Sequence, residues 1–205
     1  MSSPLEGFCN LVADVGIEKA TTISTQLEGF LSILSKEAKI NLDDEARQTI
    51  FLGVAFMSVT FANGVWSNLN STSLRRDLLN TSIQTFTLKA ATKISGSQEH
   101  HDVAFLAVSI DEQLRSYYKD YIERMKQVEE SGKAADTNKA ALFGLEWIQG
   151  KLDIPDSVMN RLVPVAVGLG AIEDLASEVQ SVAAQVNRAA NERGKRGFLS
   201  KLFRS

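Results

Sequence analysis

Apolar residues recur at alternating spacings of four and three towards the end of the chain. Ten successive matches between residues 158 and 190 predict one long amphipathic helix with a continuous apolar seam. One position of this heptad run is always β-branched, whereas the other shrinks from leucine to alanine. We therefore expect the partner helix to come closer towards the end of the run. The heptad run consists of Val158, Leu162, Val165, Leu169, Ile172, Ala176, Val179, Ala183, Val186 and Ala190.

A second row beside this seam is also apolar, at positions that a two-stranded coiled coil would fill with charged residues. The apolar stripe is therefore wide enough for several neighbours, which predicts a multi-helix bundle. Pro164, Gly168 and Gly170 lie inside the run and predict a kink there, or a break into two helices. The second row consists of Gly168, Leu175, Val182 and Ala189.

Helical periodicity also covers the chain before the heptad run. Gly16 is expected to end the first helix, and no segment alternates at a period of two for long enough to predict a strand. In the fourth helix we expect Ile83, Phe86 and Leu88 to point inward. The predicted helices cover about 4–15, 17–39, 43–69, 73–94, 98–130 and 137–151.

These patterns predict an all-α fold with one domain. We expect a multi-helix bundle of about six or seven helices over residues 1–193, which includes the long C-terminal heptad-patterned helix. A basic amphipathic tail follows at 194–205. A chain of 205 residues with 44% hydrophobic and 23% charged residues can bury the core that such a domain needs.

The third predicted helix contains the longest uncharged segment, since residues 48–74 include no acidic, basic or histidine residue. A central helix that is buried on nearly all sides would have this composition. A membrane span would also have it, because about 20 apolar residues cross a bilayer. We favour the central helix, because Asn63 and Asn68 dilute the segment and no second segment of that length exists.

The charge is unevenly distributed along the chain. Residues 188–205 hold six basic residues and one acidic residue, a net charge of +5, whereas the whole chain carries −3. The preceding 187 residues therefore carry −8. An acidic body argues against nucleic acid as a partner, because no basic stripe follows a long helix.

The basic tail is the strongest functional candidate in the sequence. Its two phenylalanines and two leucines share one helical face, and basic residues flank or oppose them, as in a short amphipathic segment that binds a surface. It could bind an anionic membrane surface, a groove on another protein, or the acidic body of its own chain. We expect an external partner ahead of self-docking. The predicted docking residues are Lys195, Arg196, Phe198, Leu199, Lys201, Leu202, Phe203 and Arg204.

A weaker candidate is a ligand site that would use Glu99, His100, Tyr117 and Tyr121. Adjacent helical residues point about 100° apart, so His100 and the histidine that follows it do not converge on one metal. The acidic residues there favour an ordinary helix start, and core packing explains the tyrosines more simply. We therefore expect no metal and no cofactor.

The rest of the sequence offers no catalytic motif. It contains no phosphate-binding loop, no paired-histidine zinc motif and no nucleophile elbow. The single Cys9 excludes an intramolecular disulfide, and we expect it to be a small buried hydrophobe. Residues 1–10 hold no basic residue and no apolar run, so we expect no secretory signal and a cytoplasmic protein, peripheral at the membrane if the tail binds lipid.

The leading hypothesis is a non-enzymatic helical interaction or regulatory module. It would bind another protein through helix faces and use the basic tail for docking or recruitment. One alternative is a membrane-active bundle that inserts the helix at 48–69. Another is a helical enzyme or carrier of a small ligand or metal that uses Glu99 and His100. The sequence leaves homo-oligomer formation open.

Overall fold

The computed structural model of the protein describes residues 4–38, 41–69, 73–96, 100–130, 137–168, 177–178 and 181. These residues form helices joined by short connections and include no strand. The predicted all-α multi-helix bundle is thereby confirmed. The helices are α1 (Pro4–Ala38), α2 (Asp44–Leu69), α3 (Ser73–Ser95), α4 (His100–Glu130), α5 (Thr137–Leu152) and α6 (Asp156–Gly168).

Helix α2 lies at the centre of the bundle. It packs against α1, α3, α4 and α5, and every residue from Leu52 to Thr60 is buried. This burial explains why the segment carries no charge, because an unpaired charge inside the bundle would lose its hydration. None of the helices in the described ranges is long and apolar enough to cross a membrane.

Helix α1 corrects the prediction that Gly16 ends a first short helix. The helix runs without interruption for 35 residues, and Gly16 is buried inside it. A side-chain carbon at Gly16 would stand at an ordinary van der Waals distance of 3.5 Å from Cβ of Ser58, so this position of α1 faces α2. Packing against α2 outweighs the cost of about 1 kcal/mol that a glycine brings to a helix interior.

Polar contacts show how α1, α2 and α3 run relative to one another. Asp43 caps α2, because its Oδ1 accepts a hydrogen bond of 2.9 Å from the amide of Ala46. Arg47 pairs with Glu28 at 3.2 Å, as expected of an antiparallel α1/α2 hairpin. Helix α3 then runs parallel to α1, since Ser82 lies opposite Cys9 and Lys89 opposite Asp14.

The turn between α3 and α4 contains Gly96, whose φ of 57° lies in the left-handed region that favours glycine. Helix α4 returns antiparallel to α3, with Arg115 opposite Asn80 at 3.5 Å. Helix α5 packs against α2, where Gly53 leaves the space that Ile148 and Trp147 occupy.

The heptad run begins in α6, where Val158 and Leu162 are buried as predicted. Helix α6 continues through Pro164 to Gly168, so the proline does not end it. The rest of the run lies outside the described residues, apart from the helical residues 177–178 and 181. Glu178 pairs with Lys19 at 2.9 Å, which places this part of the chain beside α1.

Candidate interaction surface

Two of the predicted ligand residues, Tyr117 and Tyr121, belong to an aromatic cluster in the core. The ring of Tyr117 lies 5.6 Å from that of Phe56 on α2 and 5.0 Å from that of Phe143 on α5. Trp147 completes the cluster at 5.9 Å from Tyr117. Such edge-on arrangements add to the stabilisation that burial provides. Tyr117 therefore holds α2, α4 and α5 together, and Tyr121 adds a second contact between α4 and α5, with its ring 5.6 Å from that of Phe143.

The hydroxyl of Tyr117 is buried without a hydrogen-bond partner among the described residues, and so is Oγ1 of Thr60. Burial raises the pKa of Tyr117 far above its ordinary value, with a smaller contribution from Tyr121. Burial also raises the pKa of Tyr121. Both phenols are therefore neutral, which makes them poor proton acceptors.

The predicted ligand residues do not come together in the described structure. His100 is the first residue of α4, and Tyr117 follows 17 residues later on the same helix. At 1.5 Å per residue, the two positions are about 25 Å apart along the helix axis. Glu99 lies outside the described residues. Within the described ranges, no group of three or more histidine, cysteine or acidic residues could hold a metal ion.

Cys9 is a buried thiol on α1 with only 1% of its surface exposed. Its sulfur lies 3.3 Å from the hydroxyl oxygen of Ser82. Burial raises the pKa of Cys9, and the contact with Ser82 opposes this shift only in part. The thiol is therefore protonated and shielded, which makes it a poor nucleophile.

The described residues instead expose an apolar surface that the sequence analysis missed. Leu88 on α3 is 56% exposed, and on α4 Phe105 and Val108 are 78% and 60% exposed. The prediction that Leu88 points inward is therefore wrong. Leu88 and Val108 line one groove, and Phe105 lies one helical turn before Val108. We call these three residues the α3/α4 face.

The groove of the α3/α4 face has a volume of about 340 Å³. Its other walls are uncharged on α3, where Gln84 and Thr87 line it, and partly acidic on α4. No charged residue occurs on α3 between Asp77 and Lys89. Charge depletion around an apolar centre is typical of the core of a protein–protein interface.

Most charges near the face have partners elsewhere. Lys89 points to α1, where its Nζ lies 2.6 Å from Oδ1 of Asp14. Asp111 accepts hydrogen bonds of 2.6 and 3.2 Å from Arg115. Glu112 is exposed and lines the groove, so the border of the face on α4 is acidic.

A second groove, of about 530 Å³, follows the outer side of α4 from Tyr118 to Glu130. Lys119, Glu123 and Lys126 line it at helical spacing. Alternating charges of both signs are typical of a solvated helix surface. The smaller α3/α4 groove is therefore the better candidate for a docking site.

A signal for the α3/α4 face does exist in the sequence. The buried stripe of α4 follows Val103, Ile110 and Leu114 at a helical period. At 100° per residue, Phe105 and Val108 fall far from that stripe. Two large apolar residues off the core face are the pattern that indicates an exposed apolar surface.

The predicted docking residues of the tail, Lys195, Arg196, Phe198, Leu199, Lys201, Leu202, Phe203 and Arg204, lie outside the described residues. Comparison of the chain with known protein families, curated proteins and solved structures finds no match.

Proposed function

We propose that the protein is a non-enzymatic helical interaction module that binds another protein through the α3/α4 face. The single observation that carries this proposal is the exposed groove lined by Leu88 and Val108, with the exposed Phe105 one helical turn before Val108. Fully burying a large apolar side chain contributes roughly 1.5–3 kcal/mol, so a partner that covers all three has a substantial driving force. Association entropy opposes part of this gain.

The shape of the groove favours an amphipathic helix as the binding element. Two packed helices, α3 and α4, form its walls, and the exposed apolar residues lie at helical spacing on α4. A third helix can lay its apolar residues into such a groove and add to the bundle. The acidic border at Glu112 favours a partner helix that carries basic residues beside its apolar face.

The chemistry of the interior also supports a binding role ahead of an enzymatic one. Among the residues that the structure describes, burial raises the pKa of Cys9, Tyr117 and Tyr121. Each shift favours the neutral form of the group. At neutral pH the thiol is therefore a poor nucleophile, and the two phenols are poor bases. A catalytic site tunes such groups in the opposite direction or places them in an open cleft.

The basic tail is a second docking element in this proposal, with an anionic membrane surface as its external target. Its sequence pattern supports this target, because a short amphipathic segment with flanking basic residues binds anionic lipid. The protein would then lie on the cytoplasmic side, peripheral to the membrane. Flotation of the full chain with anionic vesicles tests this target. We expect binding that weakens at high salt and that is lost in the double variant Lys201→Glu/Arg204→Glu.

A comparative pull-down tests the α3/α4 face. The full chain, its Val108→Glu variant and its Ile33→Glu variant are immobilised, and the proteins that each retains from a lysate of the source cells are quantified by mass spectrometry. Ile33 is a matched control, because it is an exposed apolar residue (71%) on a different helix, α1. We expect Val108→Glu to lose partners that Ile33→Glu keeps. Equal retention by both variants would overturn the proposal.

A further inference from the structure

We propose that the basic tail, residues 194–205, covers the α3/α4 face of its own molecule when no partner is bound. The inference rests on the proposed function in one respect, since the tail would occupy the site that the partner helix uses. A partner would then have to displace the tail, so the tail would lower the apparent affinity of the protein for that partner.

The tail has the chemistry that the groove favours. It combines Phe198, Leu199, Leu202 and Phe203 on one helical face with basic residues around them. The α3/α4 face presents large apolar side chains, an uncharged wall on α3 and an acidic border at Glu112. Apolar residues thus meet apolar residues, and the +5 charge of residues 188–205 meets a body of opposite charge.

The chain is long enough to bring the tail to this face. Glu178 lies beside Lys19 of α1, and α1 runs parallel to α3 with Asp14 opposite Lys89. Lys19 is therefore level with the end of α3. Leu88 lies roughly 9 Å from that level, towards the start of α3. The 16 residue steps from 178 to 194 span roughly 24 Å as a helix and about 50 Å when extended.

A site-directed photo-crosslink tests the position of the tail in the full chain. In the variant Ser205→Cys, a benzophenone maleimide attaches at position 205 alone, because the thiol of Cys9 is buried. After illumination the monomer is isolated, digested with trypsin and analysed by mass spectrometry. The α3/α4 face falls into two tryptic peptides, residues 77–89 and 94–115.

We expect the label of the monomer to concentrate on those two peptides. Adding Val108→Glu should lower that yield at least fivefold, whereas adding Ile33→Glu should leave it unchanged. Phe203→Ser should also lower it, with Ser200→Ala as its control. Leu88→Ser replaces Val108→Glu if circular dichroism shows that the latter is not folded.

Other patterns would overturn the inference. A crosslink to other peptides of the monomer would show that the tail docks elsewhere on the body. Crosslinks found only between two copies would show that the tail binds a second molecule, and no crosslink at all would show that it leaves the body bare. Because the experiment uses purified protein, its failure is distinguishable from a failure of the pull-down, which reports only on external partners.

Discussion

Two regions of the bundle differ in how far they bury large apolar side chains. Around α2, Phe56 is fully buried among aromatic rings from three other helices. On the outer side of α3 and α4, Phe105 has a similar side chain but is 78% exposed. The first arrangement stabilises the fold, whereas the second keeps binding energy available for another segment. The comparison separates the residues that build the bundle from those that we propose to act in recognition.

The largest expected difference comes from making the same substitution, phenylalanine to alanine, in the two regions. Phe56→Ala should lower the free energy of unfolding by about 3–5 kcal/mol, because it removes a large side chain from a close-packed cluster. Phe105→Ala should cost at most roughly 1 kcal/mol, even with the tail in place. Urea unfolding followed by circular dichroism measures both. Similar losses at the two sites would show that Phe105 is part of the core.

Two glycines offer a second comparison. A side-chain carbon at Gly53 would overlap Ile148 of α5, so Gly53→Ala should destabilise the protein by about 1–3 kcal/mol. Gly29 on α1 has open space around it, and Gly29→Ala should stabilise the protein by up to about 1 kcal/mol. Thermal melting of both variants decides the matter. A neutral Gly53→Ala variant would contradict the close α2/α5 packing.

The unpartnered hydroxyl of Tyr117 allows a smaller and opposite effect. Tyr117→Phe removes a buried polar group that has no hydrogen bond, so we expect a gain in stability of about 1 kcal/mol. Tyr121→Phe serves as the control, because Tyr121 is only half-buried and its variant should be close to neutral. If Tyr117→Phe instead loses 1 kcal/mol or more, the hydroxyl has a partner such as a buried water.

The smallest expected effect is a decline in stability at alkaline pH. The pKa values of Cys9, Tyr117 and Tyr121 are raised in the folded protein, so the folded state holds these protons more tightly than the unfolded state. Their contribution is complete below the ordinary values, about 8.5 for cysteine and 10 for tyrosine, and is lost as the pH rises beyond them. Urea unfolding between pH 8 and 11 should show this loss.

Two variants divide this alkaline loss between its sources. Cys9→Ala should remove the part that begins near pH 8.5, and Tyr117→Phe should remove a part that begins near pH 10. In the folded protein, the thiol should also resist modification by a disulfide reagent at neutral pH. A stability profile that stays flat up to pH 11 would contradict the burial of both groups.

The sequence predicts most reliably which residues of a single helix are buried in the core. The stripe through Val103, Ile110 and Leu114 could be predicted, because burial follows the helical period directly. The continuity of α1 through Gly16 could not be predicted, since the packing of this segment against α2 is not visible in the local sequence. Local preferences specify helices, but which side of each helix is covered depends on neighbours that are distant in sequence.

The candidate sites follow the same division. The separation of His100 from Tyr117 needed only the rise of a helix, so a helix at 98–130 already argued against a shared ligand site. Exposure of Phe105 and Val108 could be predicted, because both lie off the buried stripe of α4, whereas Leu88 was expected to point inward and its exposure needed the structure. The role of the basic tail stays a prediction, since it falls on residues that the structure does not describe.

The length of α1 has a consequence for how the protein unfolds. This helix contacts α3 through Cys9 and Asp14, and it contacts α2 at both Gly16 and Glu28. A helix of 35 residues spans about 52 Å, so α1 packs against both α2 and α3 over a long distance. Neither α2 nor α3 can therefore unfold without exposing the side of α1 that it covers. We expect the amides along the middle of α1 to exchange with solvent only in the global unfolding event, as one cooperative unit.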